Sequence, residues 1–155
     1  CVIVLSLDIR PIPKARPRFT KYGKTFTPTR TKTFEDRLRA EATAVMIEQQ
    51  LAPLEGAIFA SMIFGFACPK SASKKQRDKL LNGYHTSRPD LDKLMKTIDA
   101  FNGIIWKDDS QIMSIMASKC YAETDFVLFC FQTQGDMDEA TDHSDWNYLE
   151  SLIRH

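Results

Sequence analysis

Two aspartates separated by one residue, with a lysine one helical turn later, are the groups in this sequence best suited to chemistry. Asp90, Asp92 and Lys96 carry these groups, and Asp108 and Asp109 follow further along the chain. Carboxylate oxygens are the ligands that Mg²⁺ prefers in proteins, and a lysine amine offsets the charge of a phosphate. If the chain folds back on itself, three carboxylates and one lysine would surround a divalent cation beside a phosphate.

A helix with an acidic entrance is predicted to position these groups. Its apolar side chains recur at helical spacing, and Gly103 is a typical helix end. The apolar positions are Leu91, Leu94, Met95, Ile98 and Phe101. Residues two apart point about 200° from each other in a helix, but to the same side in an extended strand. Asp90 and Asp92 therefore converge only if Asp90 lies outside the helix, which Pro89 permits.

Each of these features also has a purely structural explanation. Asp90 is a suitable helix cap, because a carboxylate there accepts hydrogen bonds from free backbone N–H groups. Asp92 and Lys96 have the spacing of an exposed ion pair worth a few tenths of a kcal/mol. Asp108 and Asp109 precede a serine, and such sequences are typical of turns. Spacing alone leaves the catalytic and the structural explanations open.

The composition is that of one soluble globular domain. The chain has 155 residues, of which 43% are hydrophobic and 26% charged, enough to build one core. No apolar run is long enough to cross a membrane, and no secretory signal pattern is visible. The four cysteines have no metal-binding spacing and suggest no disulfide framework. We expect a cytoplasmic protein with neither a membrane partner nor a nucleotide cofactor.

Positive charge is concentrated near the beginning of the chain. Residues 1–39 carry ten Lys or Arg against three Asp or Glu, a net charge of +7. Residues 135–155 carry one Arg against six Asp or Glu, a net charge of −5. A basic segment of this kind indicates a polyanion partner.

Two groups of basic residues are candidates for binding DNA. In the first group, Phe19 and Tyr22 are interleaved with the charges, so both phosphate contact and stacking on bases are expected. The candidates are Lys14, Arg16, Arg18, Lys21, Lys24, Lys74, Lys75 and Arg88. The structural alternatives are a solvated loop with Phe19 in the core for the first group, and a mobile charged arm for the second.

The remaining periodicity predicts an α+β fold. Four strands are predicted, at residues 2–9, 57–67, 111–122 and 126–132. The last two are expected to form an antiparallel hairpin. Two further helices are predicted, one from Thr31 or Thr33 to about Gln50, and one at residues 74–81 with Ser73 as its cap. Pro17 and Gly23 are expected to keep the basic loop irregular. We therefore predict a single domain with a small mixed or antiparallel sheet packed against helices.

Residues 88–112, which read RPDLDKLMKTIDAFNGIIWKDDSQI, resemble the signature of the RusA family of Holliday-junction resolvases, in its phage-type branch. That family shows Pro-Asp-hydrophobic-Asp-Asn-Leu, a lysine, Asp-Ala-Leu-Asn-Gly, and Asp-Asp-Ser-Gln before a strand. Residues 13–19 and the Thr27-Pro28 pair also resemble its opening. The similarity as a whole spans most of the chain, up to about Gln134. The chain departs from the family at Lys93, where Asn is usual, and in the tail after Gly135.

The resemblance implies an activity and a division of the chain. Residues 1–134 would form a RusA-like nuclease domain, and residues 135–155 an acidic tail with a short amphipathic helix. The implied activity is Mg²⁺-dependent resolution of four-way DNA by paired symmetric nicks, with Mn²⁺ as an alternative cation. The enzyme would act as a homodimer in DNA recombination and repair. A nuclease for flaps or forks, and a non-catalytic DNA-binding relative, are the alternatives.

The resemblance also implies roles for individual residues. Asp90, Asp92 and Asp109 would bind the metal, and Lys96 would stabilise charge on the phosphate or orient the attacking water. These four are the expected catalytic residues. Supporting carboxylates are expected at Asp99 and Asp108.

Overall fold

The computed structural model describes residues 2–139. The strands are β1 (Val2–Leu7), β2 (Arg18–Phe19), β3 (Thr25–Phe26), β4 (Ile58–Ala67), β5 (Ile112–Ala122) and β6 (Phe126–Thr133). The α-helices are α1 (Thr29–Glu48), α2 (Lys74–Leu81), α3 (Leu91–Met95) and α4 (Gln134–Glu139), and 3₁₀ helices span Lys96–Phe101 and Asp109–Gln111. None of these helices is long and apolar enough to cross a membrane. The amphipathic helix predicted in the tail lies outside the described residues.

Four strands form one mixed sheet with the order β1-β6-β4-β5. β4 pairs parallel with β5 and antiparallel with β6, and β6 pairs antiparallel with β1. Alternate residues of the sheet, such as Met62 and Phe129, pack with Leu38 of α1 and Phe101 in the main core. Ile63 and Leu128 belong to a smaller apolar cluster on the opposite face. The predicted α+β fold, a mixed sheet packed against helices, is confirmed.

The predicted hairpin of β5 and β6 is wrong, because β4 lies between these two strands. β4 is apolar on both faces, so a central position buries it best. The short connection passes across the end of β4, where the Asp125 carboxylate accepts a hydrogen bond from the Ala67 N–H (2.8 Å). Gly65 leaves space there for the Phe126 ring. These contacts hold β6 beside β4, so that β4 separates β5 from β6.

Two predictions near the beginning of the chain are also wrong. α1 begins at Thr29 with Pro28 as its N-cap residue, while Thr31 is buried with its hydroxyl 3.5 Å from the Pro13 carbonyl oxygen. The basic loop predicted to be irregular forms a small antiparallel hairpin of β2 and β3. Gly23 has a φ of 78° between these strands, a conformation that glycine adopts without strain.

The helix predicted after Asp90 consists of two kinds of helix. α3 ends at Met95, and the chain continues as a 3₁₀ helix to Phe101. The apolar side still faces the core, where Leu94, Ile98 and Phe101 are buried. Asp90 precedes the helix with extended backbone angles (φ −69°, ψ 138°). Asp90 therefore lies outside the helix, as convergence of the two carboxylates requires.

Gly65→Ala is expected to destabilise the fold by about 1–3 kcal/mol, because a Cβ atom there would lie 2.0 Å from the Phe126 ring. Urea unfolding measures the change. Gly135→Ala is the control, since the nearest atom to a Cβ there is the Thr133 hydroxyl oxygen at 3.9 Å. A Gly65→Ala protein as stable as the control would contradict the packing of Phe126 across β4.

Candidate active site

The acidic pair lies exposed at the entrance of α3. The Asp90 carboxylate makes no capping hydrogen bond, and its Oδ2 lies 3.4 Å from the Lys93 amine. Asp92 and Lys96 are exposed, and neither forms an ion pair with any residue in the part of the chain that the structure describes. Two structural explanations, a side-chain cap by Asp90 and an Asp92–Lys96 ion pair, are therefore wrong. These groups remain available to a ligand.

The chain before Asp90 is attached to the sheet by a lysine inside β5. The Lys119 amine donates hydrogen bonds to the carbonyl oxygens of Pro89 (2.9 Å) and Ser87. Lys119 is half-buried and pairs in register with Phe64 of β4. Asp90 therefore lies at the level of the last residues of β5. Sequence reasoning missed Lys119, because one lysine in an apolar strand belongs to no motif.

The later acidic residues are held at the beginning of β5. The Asp109 carboxylate accepts a hydrogen bond from the indole N–H of the buried Trp106 (2.9 Å). The Asp108 carboxylate accepts one from the backbone N–H two residues later (2.8 Å), which lowers the pKa of that carboxyl. The Gln111 amide donates to two carbonyl oxygens just before β4. Asp108 thus stabilises a turn, as the structural explanation predicted, and Trp106 orients Asp109.

One chain does not bring Asp109 together with the acidic pair. Asp109 precedes Ile112, and Lys119, which holds the chain next to Asp90, lies seven residues further along β5, about 23 Å at roughly 3.3 Å per residue. Among residues 2–139, no three His, Cys, Asp or Glu side chains lie close enough to hold a metal ion together. The expected convergence of Asp109 with Asp90 and Asp92 is therefore not found within one chain. The roles of the three aspartates as metal ligands stay predictions.

Lys14, a predicted DNA-binding residue, is engaged within the fold. Its amine lies 2.9 Å from the Asp99 carboxylate and 3.8 Å from that of Glu35. Its backbone N–H donates to the Lys93 carbonyl oxygen (3.1 Å). Glu35 is buried on α1, so Lys14 supplies part of its counter-charge. These contacts join the chain before β2 to α3. Sequence reasoning missed Glu35, since most glutamates on helices are exposed.

The other predicted DNA-binding residues near the beginning of the chain lie on an exposed arm, the basic hairpin (residues 16–26). Its exposed cations are Arg16, Arg18, Lys21 and Lys24. Phe19 and Tyr22 are 74% and 80% exposed, and the Lys21 amine lies 5.1 Å from the centre of the Tyr22 ring. The alternative that placed Phe19 in the core is therefore wrong. Lys14, just before the basic hairpin, donates a hydrogen bond to Lys93 of α3. The basic hairpin therefore begins next to the acidic pair.

The second basic group lies on α2, whose predicted cap, Ser73, is present and forms a capping box with Gln76. Lys74 and Lys75 are exposed in its first turn. Arg77 forms an ion pair with Glu123 (3.1 Å), which places α2 beside the end of β5. Arg88, also exposed, lies between α2 and the acidic pair in the chain. Basic residues therefore flank the acidic pair from two elements.

A buried histidine packs behind this end of β5. The His85 side chain stacks on the Tyr121 ring, with 4.3 Å between ring centres, and also contacts Phe66. Its Nδ1 has no hydrogen-bond partner among the described residues. Burial lowers the pKa of His85, and the positive charge of Lys119 lowers it further. We infer that His85 packs as a neutral aromatic ring, a role that its sequence context did not indicate.

Comparison with known proteins identifies relatives of this chain. The model of the family described as Endodeoxyribonuclease RusA matches residues 8–127, which include every candidate site residue. The curated protein described as "Uncharacterized protein YqaN", from Bacillus subtilis (strain 168), is 43% identical over 60 residues. That similarity covers 36% of this chain and 42% of the relative. The chain therefore spans less than half the length of the curated relative that it matches.

Stability is expected to fall as the pH decreases below about 6.5, because His85 binds a proton more readily in the unfolded chain than in the fold. With a lowered native pKa, this stabilisation is present above the unfolded pKa and is lost as the pH falls through the native pKa. His85→Phe keeps an aromatic ring on Tyr121 and removes the titration. Its stability should therefore change less between about pH 7.5 and about pH 5.5, as measured by urea unfolding. An equal loss in both proteins would contradict the burial of neutral His85.

Proposed function

The chain belongs to the RusA family of endodeoxyribonucleases, and on this basis we propose that it is a Mg²⁺-dependent nuclease that resolves Holliday junctions. The main support for this proposal is that the RusA family model matches residues 8–127, which include all the candidate site residues. The exposed acidic pair, with an unpaired Lys96 beside it among the described residues, supports it further. The reaction would be paired symmetric nicking of four-way DNA, in recombination and repair. Mn²⁺ is an alternative cation, since it accepts the same oxygen ligands.

Asp90 and Asp92 would hold the cation at the entrance of α3. Once bound, the cation would polarise the scissile phosphate and lower the pKa of the attacking water. Lys96 would contact a phosphate oxygen and offset its negative charge. Lys93, 3.4 Å from Asp90, partly neutralises the acidic pair and so reduces its repulsion of DNA.

A homodimer is part of this proposal. A two-fold dimer presents two equivalent sites, which suits a four-way junction cut by two symmetric nicks. It also offers a source for the third carboxylate, because Asp109 of the same chain precedes β5, whereas Lys119, which holds the chain before Asp90, lies about 23 Å from the beginning of that strand. In such a dimer, the partner's Asp109 would complete the cation site of Asp90 and Asp92.

The basic hairpin and α2 would bind the DNA arms on either side of the cation site. Lys and Arg side chains contact phosphates without reading the base sequence, which suits recognition of DNA shape. Phe19 and Tyr22 would stack on bases at the branch point. Lys14 would act indirectly, because its contacts with Asp99 and α3 set the position of the hairpin relative to the acidic pair.

The rates at which the protein cleaves four DNA structures would identify its substrate. A nuclease for flaps or forks would use the same carboxylates, whereas a non-catalytic DNA-binding relative would need only the basic residues. Synthetic four-way junctions, flaps, forks and linear duplexes, each incubated with Mg²⁺ or with EDTA, separate these functions. EDTA-sensitive cleavage that prefers the junction supports the proposal. We also propose a cytoplasmic location, which agrees with the free thiols of Cys68 and Cys120.

Asp92→Asn is expected to lower junction cleavage by more than about 100-fold, because a neutral amide is a weaker Mg²⁺ ligand than a carboxylate. Calorimetric titration should show weaker Mg²⁺ binding as well. Junction binding without metal should be unchanged or tighter, since one negative charge near the DNA is removed. Asp8→Asn, at an exposed aspartate after β1, is the matched control. Cleavage by the Asp92→Asn protein at the wild-type rate would refute the assignment.

A mixture of Asp92→Asn and Asp109→Asn chains tests whether the partner supplies the third carboxylate. In a mixed dimer with shared sites, one site carries both substitutions and the other carries neither, so single nicks should reappear. If each site is built from one chain, both sites are damaged and the mixture stays as inactive as the separate variants. The absence of nicking after subunit exchange has been verified would exclude a shared site.

A further inference from the structure

The sheet has a second apolar face, on the side opposite the main core. β4 and β6 carry apolar side chains on both sides, which is typical of strands in a sheet that is covered on both faces. On the main-core side, α1, α3 and the 3₁₀ helix Lys96–Phe101 supply the cover. The opposite side, here called the outer face, is formed by the alternate residues of the four strands, among them Val4, Ile63, Met116, Cys120, Phe126 and Leu128.

The centre of the outer face is buried as deeply as the main core. Ile63 and Leu128 are 2% and 3% exposed. Within residues 2–139, the apolar side chains that pack around these two all belong to strands of the same sheet. Neighbours in one sheet stand side by side and leave the ends of their side chains open, so burial this deep needs a second layer. Val2 and Val4, on the edge strand β1, are partly exposed, which places this layer over β4 and β6.

The segment after the described residues has a suitable length and pattern for this layer. α4 begins directly after β6, where the Asp136 carboxylate accepts hydrogen bonds from the backbone N–H and the hydroxyl of Thr133. Beyond α4, residues 140–145 can span about 20 Å, which is roughly the length of β6. An apolar stripe at helical spacing follows, made of Trp146, Leu149, Leu152 and Ile153.

We propose that residues 140–155 of the same chain form this second layer, with the apolar stripe packed on Ile63 and Leu128. The stripe would cover the middle of the outer face, while the other side of the helix, which carries Ser151, would face water. The sheet would then lie between two layers of helix. This inference does not depend on the nuclease activity, because it rests on the burial of one sheet face and on the pattern of the segment that follows β6.

Charge alone would instead bring the acidic tail to the basic hairpin. Such pairing would cover the aromatic rings of the hairpin, but Phe19 and Tyr22 are exposed, whereas Ile63 and Leu128 are buried. The surface that needs a cover is therefore the outer face. Its strand residues carry no charge, so apolar contacts would hold the tail there and its acidic side chains would remain in water.

Packing on the outer face would keep the acidic tail away from the candidate site. Lys119 lies on the same side of β5 as Ile115 and Ala117, which pack against the main core. Because Lys119 holds the chain before Asp90, the acidic pair lies on the main-core side as well. The sheet would separate the tail from the acidic pair. We therefore expect that the acidic residues of the tail do not compete with DNA for the basic hairpin.

A cysteine on the outer face provides a probe of this packing. Cys120 is half-buried there, beside the cluster of Ile63 and Leu128. Burial raises the pKa of the Cys120 thiol, so the reactive thiolate is scarce while the face is covered. Cys68 is a buried free cysteine that follows β4 and does not belong to this cluster. Its reactivity reports whether the rest of the fold is intact.

Leu149→Asp in the full chain should raise the rate at which N-ethylmaleimide modifies Cys120 by at least about 10-fold, because it removes a buried leucine side chain from the stripe. The rate for Cys68 should stay unchanged. Leu149→Ala, a milder change, should show the same selectivity with a smaller increase. Ser151→Asp introduces the same charge on the polar side of the segment and is the control, which should react as the wild type does. Mass spectrometry of tryptic peptides assigns each rate to its cysteine.

The outcomes identify what covers the outer face. Unchanged labelling of Cys120 in both Leu149 variants, or equal increases for Cys68 and Cys120 in both, would overturn the proposal. A wild-type rate for Cys120 that rises when dilution dissociates a dimer, as measured by sedimentation velocity, would assign the cover to a second copy and would also overturn it.

DNA binding tests the competing place for the tail. If the tail lay on the basic hairpin, replacing Asp142 and Asp145 together by Asn would tighten binding of duplex DNA without metal by more than about 10-fold, and our proposal would be wrong. A change below about 2-fold supports the outer face. None of these measurements requires cleavage. A chain that cuts no junction would therefore refute the proposed function and leave the packing of the tail standing.

Discussion

The hydrogen bonds from the Lys119 amine to the carbonyl oxygens of Ser87 and Pro89 are the constraint on which the candidate site depends. They attach the entrance of α3 to the end of β5, so Asp90 is extended and Asp92 lies in the first helical turn. With the backbone held in this way, neither carboxylate is needed to cap the helix. The fold therefore positions the two carboxylates of the acidic pair without using them as helix caps.

The parallel pairing of β4 with β5 sets the distance between the two groups of acidic residues. After β4, the chain must return along the sheet before a parallel neighbour can begin. The acidic pair lies at the start of this return, and Asp109 lies at its end, where Trp106 and Gln111 fix the loop before β5. The separation within one chain is thus a consequence of strand direction. In a two-fold dimer with a shared site, Asp109 of one chain could lie beside the acidic pair of the other.

Charged residues near α3 divide into two sets with different roles. In the first set, Lys14 forms ion pairs with both Glu35 and Asp99 and joins the chain before β2 to the helices. Asp92 and Lys96 are exposed and without ion-pair partners in residues 2–139. Exposed charges contribute little to stability, so the fold does not constrain what the second set binds. In the proposed function, the first set positions the basic hairpin and the second contacts the cation and the DNA.

Periodicity and local chemistry in the sequence were sufficient for the α+β class, most helices and strands, and the Ser73 cap of α2. Each of these depends on residues a few positions apart. The place of β4 between β5 and β6, the engagement of Lys14 with Glu35, and the role of Lys119 were decided by the tertiary structure. Alternating apolar residues look the same in parallel and antiparallel strands, and a lysine does not reveal its partner. These features depend on contacts between residues far apart in the chain, which spacing along the sequence does not encode.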